Sequence, residues 1–139
     1  MNKRMRIVLL PAAMLIAFSI LLLSGCVQTS QQKLIDSGAK QLNDMELKEL
    51  YTDSVAMWTN PKGVSGKNTY RSDGTATAEW KGNKEEGIWV IKNDSVCTSW
   101  TKVRNGKEMC FTIFKTGDNE YTGFRPDGSG AGTNSFSKL

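Results

Sequence analysis

Residues 75–81 read Thr-Ala-Thr-Ala-Glu-Trp-Lys, and Gly82-Asn83 follows them. Successive side chains of a β-strand point to opposite faces, so Ala76, Ala78 and Trp80 share one face. The threonines and the glutamate share the other face. This alternation predicts a strand with one apolar face, which ends at a Gly-Asn turn.

Turn signals of this kind recur along the second half of the chain, at spacings of roughly ten residues. They are Asp73-Gly74, Gly82-Asn83, Asn93-Asp94, Asn105-Gly106, Gly117-Asp118 and Asp127-Gly128. Asp-Gly and Asn-Gly suit the left-handed dihedral angles of hairpin turns. Regular short strands joined in this way predict a mainly β fold, an antiparallel meander that forms a small barrel or a sandwich.

Two of the strand segments indicate how their faces are used. Residues 87–91 are apolar on both faces, which predicts a central strand that is covered on both sides. Residues 95–102 place Thr98 and Trp100 on one face and Cys97 on the other.

A short helix is predicted before the strands. Asn43 can cap it, and Glu46 stands three residues later, as a capping box requires. Apolar residues then follow with partly helical spacing, which predicts a helix over about 44–51. The β-domain with this helix is therefore expected to occupy residues 43–139.

The first 25 residues have the layout of a secretory signal peptide. A positive region is formed by Lys3, Arg4 and Arg6, and residues 7–23 follow without a charge. Small residues stand where a signal peptidase would cut. A retained transmembrane helix is the alternative, but Pro11 shortens the most apolar part of the segment.

The signal segment ends in Leu23-Ser24-Gly25-Cys26, which resembles the lipobox of bacterial lipoproteins. In that family the cysteine is lipidated, the chain is cut before it, and the new amino terminus is acylated. The resemblance implies that Cys26 is the lipidated first residue of the mature chain, and several acyl chains together anchor a protein firmly. The alternative is an unmodified cysteine beside an ordinary cleavage site. Residues 26–42, which begin polar, are predicted to be a tether.

The lipoprotein resemblance also implies a location. The protein is expected at the cell membrane or the outer membrane, facing the periplasm or the exterior. Val27 rather than Asp follows the cysteine, which favours the outer membrane in a bacterium with two membranes.

The charge of the working protein is close to neutral. The whole chain has a net charge of +4, from 18 Lys and Arg against 14 Asp and Glu, but three of the positive residues precede Cys26. The remaining 15 against 14 leave +1 and no basic stripe, so nucleic acid is not expected as a partner.

Cys97 and Cys110 are predicted to form a disulfide, because an exported chain meets an oxidising compartment. A metal pair and a redox pair are the alternatives; the chain has no histidine and no Cys-x-x-Cys. A two-residue turn at Asn105-Gly106 would place Cys97 opposite Phe114. The pairing therefore requires a longer or bulged loop, or a bridge between residues that are not directly opposed.

Three segments resemble a family of small bacterial envelope proteins, a domain of unknown function numbered 995. They are Gly87-Ile88-Trp89-Val90, Val96-Cys97 with Trp100, and Cys110-Phe111. The resemblance covers about residues 44–128. It implies a β-hairpin fold with two cysteines and brings no catalytic residue.

Few residues indicate chemistry. The absence of histidine removes the commonest general base, and Glu85 and Glu86 point to opposite faces of a strand, so neither a catalytic site nor a cofactor or metal site is predicted. The glutamates are interpreted as solvated residues at a strand start. Tryptophans more often pack in a core than line a binding site. The candidate contacts with a ligand or partner are Trp89, Trp100, Arg104 and Lys107.

Two functions are predicted as alternatives, neither of them enzymatic. The first is a lipid-anchored binding or interaction module, whose partner is an envelope protein, a glycan or a small apolar ligand. The second is an inhibitor or immunity-type lipoprotein that blocks an envelope-targeting enzyme or a conjugation partner. In that case the loop at residues 104–107 would enter the target, although a solvated hairpin tip explains the same residues.

Overall fold

The computed structural model describes residues 30–139, and the predicted signal peptide and Cys26 lie outside this range. Two helices, a two-residue strand and eight longer strands form the fold. In chain order they are α1 (Ser30–Asp36), β1 (Lys40–Gln41), α2 (Asp44–Tyr51), β2 (Ser54–Thr59), β3 (Ser65–Tyr70), β4 (Thr75–Trp80), β5 (Asn83–Lys92), β6 (Ser95–Trp100), β7 (Met109–Gly117), β8 (Glu120–Phe124) and β9 (Gly130–Lys138).

Strands β2 to β9 form a closed, antiparallel, up-and-down barrel. Each strand pairs with its neighbour in the chain, and β2 pairs with β9 in the register Ser54↔Lys138 to Thr59↔Thr133. Closure leaves no free sheet edge among these strands. The predicted meander is therefore confirmed, and it is a barrel. The whole barrel lies within residues 30–139.

The hairpin turn at Asn93-Asp94 is confirmed, whereas the turn predicted at Gly82-Asn83 lies one residue earlier, at Lys81-Gly82. Asn93 and Asp94 both have a φ of 52°, and Lys81 and Gly82 have φ values of 46° and 77°. Two consecutive left-handed residues form the turn whose twist matches the twist of paired strands.

Helix α2 closes one end of the barrel. Asn43 caps it, and Asn43 and Glu46 form the predicted capping box. Leu47 and Tyr51 are buried, and the Tyr51 ring meets those of Tyr70 and Phe136 edge-on at 4.9 and 4.8 Å. Aromatic side chains thus fill this end, which we call the closed end.

Residues 30–42 differ from the predicted tether, because they contact the barrel and Leu42 joins its hydrophobic core. The Gln31 side-chain amide donates to the Thr112 hydroxyl at 3.2 Å. Strand β1 pairs with β7, and Leu42, only 6% exposed, donates its N–H to the carbonyl of Ile113. Two helices therefore precede the barrel strands, rather than the single one predicted. No helix within residues 30–139 is long and apolar enough to cross a membrane.

The prediction that residues 87–91 are covered on both sides is wrong. Ile88 and Val90 are 62% and 47% exposed, whereas Trp89 between them is buried inside. A closed barrel has a single layer, so the outer face of a strand is covered only where a helix or another segment lies on it.

Cys97 and Cys110 form a disulfide between directly opposed residues of β6 and β7. The predicted two-residue turn at Asn105-Gly106 is wrong. A longer loop, residues 101–108, joins the strands and contains a 3₁₀ turn at Val103–Gly106. This loop shifts the register so that the two cysteines meet.

Candidate functional site

The barrel interior is open at the end opposite α2. Four loops surround this end, which we call the mouth: residues 60–64, 81–82, 101–108 and 125–129. A cavity of about 320 Å³ lies inside it. This volume is at the lower end of the range for small-molecule sites.

Tryptophan rings form much of the cavity wall, and glycines on adjacent strands make room for them. A Cβ atom on Gly66 would lie 2.3 Å from Cζ2 of Trp58, and one on Gly87 would lie 2.5 Å from Cε3 of Trp100. Each indole therefore crosses over the backbone of the neighbouring strand instead of projecting across the barrel. Trp80 also lines the cavity.

Hydrogen bonds from Asn68 hold two aromatic side chains of the cavity in place. The Asn68 side chain accepts from Nε1 of Trp58 at 2.9 Å and donates to the Tyr70 hydroxyl at 3.0 Å. Burial raises the pKa of Tyr70 to about 12. Tyr70 therefore stays neutral at physiological pH, and Asn68 holds both rings in place.

Glu85 is buried at the rim, with 4% of its surface exposed, which corrects its interpretation as a solvated residue. Its Oε1 accepts from the backbone N–H groups of Lys102 and Val103 and from the Thr101 hydroxyl. Burial acts to raise the pKa of the Glu85 carboxyl, but these hydrogen bonds outweigh it, and the pKa lies below its ordinary value. Glu85 thus ties the loop 101–108 to β5, while Glu86 points outward as expected.

Glu85→Gln should destabilise the protein at pH 7 by about 1–2 kcal/mol, because an amide oxygen accepts these hydrogen bonds less strongly. The folded-state pKa of Glu85 lies below the ordinary 4.5. Its contribution is therefore complete above pH 4.5 and is lost as the pH falls through the folded value. The stability gap between wild type and variant should narrow below pH 4.5, as measured by urea unfolding between pH 7 and pH 3.

Glu86→Gln is the matched control for that series, since it removes the adjacent carboxylate on the outer face and leaves the loop contacts intact. It should cost less than Glu85→Gln at pH 7. A gap for Glu85→Gln that stays constant to pH 3 would contradict the assigned role of the carboxylate.

Two arginines from different loops reach the cavity. Arg104 and Asn105 have left-handed φ values of 56° and 54°, a conformation that non-glycine residues adopt at a cost. Arg104 donates from Nη2 to the carbonyl of Thr98 at 3.2 Å. Arg125 donates from Nη1 to the carbonyl of Gly130. Both arginines are half-buried and line the cavity.

The predicted contact residues separate into two pairs. Trp100 and Arg104 line the cavity. Trp89 is buried at the closed end, where its Nε1 donates to the carbonyl of Arg71 at 2.9 Å and its ring meets Tyr70. Lys107 is exposed, and its backbone bonds to Arg104: its N–H donates to the Arg104 carbonyl, and its carbonyl accepts from Nε of Arg104.

Sequence reasoning missed Asn68, Glu85 and Arg125 as cavity residues. Arg125 alternates with Tyr121 and Gly123 of β8, so the sequence could place these three residues on one face. That alternation did not indicate which face of the strand is the inner one.

One cluster has the composition of a metal site. Ligand atoms of Cys97, Glu108 and Cys110 all lie within 4.8 Å of one another. Both sulfur atoms are joined in the disulfide, however, and a metal binds cysteine as the thiolate. The cluster does not fit a metal in this oxidised form.

Comparison with known proteins gives no relative: no protein-family model, no curated protein and no solved structure matches the chain. The resemblance to domain family 995 and to the lipoproteins stays a prediction.

Proposed function

We propose that this protein is a lipid-anchored binding module of the bacterial envelope, and that the cavity at the mouth of its barrel holds a small ligand. The main support for this proposal is the structure of the cavity. Its aromatic walls are fixed by packing over glycines, and its polar groups are held by hydrogen bonds, so the site is formed before a ligand arrives. Preformed, mostly apolar sites with a few placed polar groups are typical of small-molecule binding.

The barrel architecture supports the same function. A barrel of eight strands has an interior just wide enough either to be filled by side chains or to hold one small ligand. Here the closed end is filled by Tyr51, Tyr70 and Trp89, while the mouth half is not. The inhibitor alternative has less support, because Arg104 turns from the tip of its loop into the cavity.

A ligand screen tests the cavity. The segment 27–139 contains the complete barrel and can be titrated with small neutral and charged apolar molecules while tryptophan fluorescence is recorded. Three tryptophans line the cavity, so a bound molecule should give a saturable change. Ala131→Phe should abolish that change by filling the cavity. Val90→Phe, which adds the same ring on the exposed outer face, should not.

The proposal fails if no molecule of the panel gives a saturable signal. It also fails if Ala131→Phe, shown by circular dichroism to be folded, binds as well as wild type.

The anchor has a separate test. Cys26→Ser in the full chain should prevent lipidation, so the protein should be released to the soluble fraction or remain unprocessed. Fractionation of cells followed by mass spectrometry of the N-terminus measures both outcomes. A variant that is cut and still partitions with the membrane like wild type would contradict the lipid anchor.

A further inference from the structure

The side chains that line the cavity carry a net positive charge. The charged ones are Glu85, Arg104 and Arg125, two positive charges against one negative. Glu85 is already engaged by three donors from the loop 101–108. Neither arginine forms an ion pair with a carboxylate among residues 30–139.

Both guanidinium groups retain N–H donors for which residues 30–139 provide no acceptor. Within the described residues, Arg104 donates from Nε and Nη2, and Arg125 donates from Nη1 alone. Nη1 of Arg104 and the Nε and Nη2 groups of Arg125 are left for solvent or a ligand. The bonds to carbonyls hold each group in place, so little ordering would be needed when an anion binds.

Arg104 and Arg125 line the same cavity, and their positive charges oppose each other. Burial lowers the pKa of the Arg104 guanidinium, Glu85 opposes this change, and the positive charge of Arg125 adds to it. Two partly buried like charges are stabilised by an anion placed between them, and guanidinium groups bind oxyanions with two parallel hydrogen bonds.

The rest of the cavity suits an apolar body. Besides the arginines, the wall contains a large set of aromatic and aliphatic side chains: Trp58, Trp80, Trp100, Val103, Phe111 and Ile113. A fully polar anion would leave this surface uncovered.

The charged residues are also distributed unevenly between the two ends of the barrel, with the positive ones concentrated at the mouth. The four mouth loops carry six Lys and Arg residues against two carboxylates. The closed end, formed by residues 44–53, 71–74, 93–94 and 118–119, carries seven carboxylates against two Lys and Arg residues. A positive rim around a low-dielectric cavity attracts anions to its entrance.

We propose that the cavity binds a small amphiphile with one carboxylate, whose acidic group lies between Arg104 and Arg125 and whose apolar part lies along the tryptophans. This inference rests on the proposed function and adds the chemical class of the ligand.

Three probes test the acidic group and the apolar part of the ligand separately: decanoate, decanol and acetate. Each is titrated into segment 27–139 at pH 7, and binding is followed by tryptophan fluorescence and calorimetry. Decanoate should bind at least about tenfold more tightly than decanol, because only its head group forms charge-assisted hydrogen bonds. Acetate, which lacks the apolar part, should bind far more weakly than decanoate.

Substitutions of the two arginines test whether they cause the preference for decanoate over decanol. The double substitution Arg104→Gln, Arg125→Gln should weaken decanoate by about tenfold or more and leave decanol unchanged. The double substitution to lysine keeps the charge and should restore part of the preference. Lys62→Gln is the control, since it removes a mouth cation that does not line the cavity. Thermal unfolding of each variant shows that the barrel is intact.

The outcomes distinguish the two proposals. If decanol and decanoate bind equally, or if the glutamine variant keeps the preference, the carboxylate assignment is wrong while the cavity remains a ligand site. If acetate binds as tightly as decanoate, the arginines form a simple anion site and the amphiphile is wrong. If none of the probes binds and the wider panel also gives no signal, the ligand-binding function itself is wrong.

Discussion

Gly87→Ala should lower the free energy of unfolding by about 3 kcal/mol, the upper part of the range for overpacking a core. The new Cβ would lie 2.5 Å from the carbonyl oxygen of Ser99 and 2.5 Å from the Trp100 ring. The carbonyl belongs to the backbone of the paired strand, so β5 and β6 would have to separate, and the indole would have to leave the wall. Urea unfolding followed by circular dichroism measures the loss.

Gly130→Ala is the matched control in another strand. Among the residues that the structure describes, its Cβ would meet no atom within 4 Å, and its φ is not in the left-handed region. We expect a change of less than about 1 kcal/mol. Equal losses at the two positions would mean that the close approach of Trp100 to Gly87 is not what requires glycine there.

Removal of the disulfide should also lower the free energy of unfolding strongly. The double substitution Cys97→Ser, Cys110→Ser should cost about 3 kcal/mol, the loop-entropy value for a separation of 13 residues. The bridge joins two strands that share only three residue pairs, against six between β5 and β6. The disulfide therefore supports the shortest ladder of the barrel, directly below the loop that carries Arg104.

Reduction provides an internal comparison for that prediction. A reducing agent should destabilise the wild type to about the level of the double-serine variant and leave the variant unchanged, as measured by urea unfolding. If the reduced wild type keeps its full stability, the bridge is not what holds β6 and β7 together.

The strands could be predicted from the sequence because their signals are local. The alternation of Ala76, Ala78 and Trp80 and the turn at Asn93-Asp94 depend on neighbouring residues alone. Closure depends on the pairing of Ser54 with Lys138, far apart in the chain, which no local pattern contains. For this reason the barrel and the sandwich were both compatible with the sequence.

The candidate site was only partly predictable, for a related reason. Trp89 and Trp100 both point into the barrel, but Trp89 lies beneath α2 and Trp100 lies in the cavity wall. Which end of the barrel is covered is decided by a helix that comes before all eight barrel strands. Likewise, the inward direction of Arg104 follows from left-handed backbone angles at residues 104 and 105, whereas the Asn-Gly pair alone suggested a simple turn.

The position of α1 bears on how an anchored molecule would sit on a bilayer. Ser30 and Leu34 share a groove with Thr59, Asn60 and Thr133, which also line the cavity. Cys26 is four residues before Ser30, so the chain between them spans at most about 14 Å. If Cys26 carries lipid, the barrel cannot stand far from the leaflet, and its entrance is held near the head groups. An amphiphile could then pass from the leaflet into the barrel without crossing bulk water.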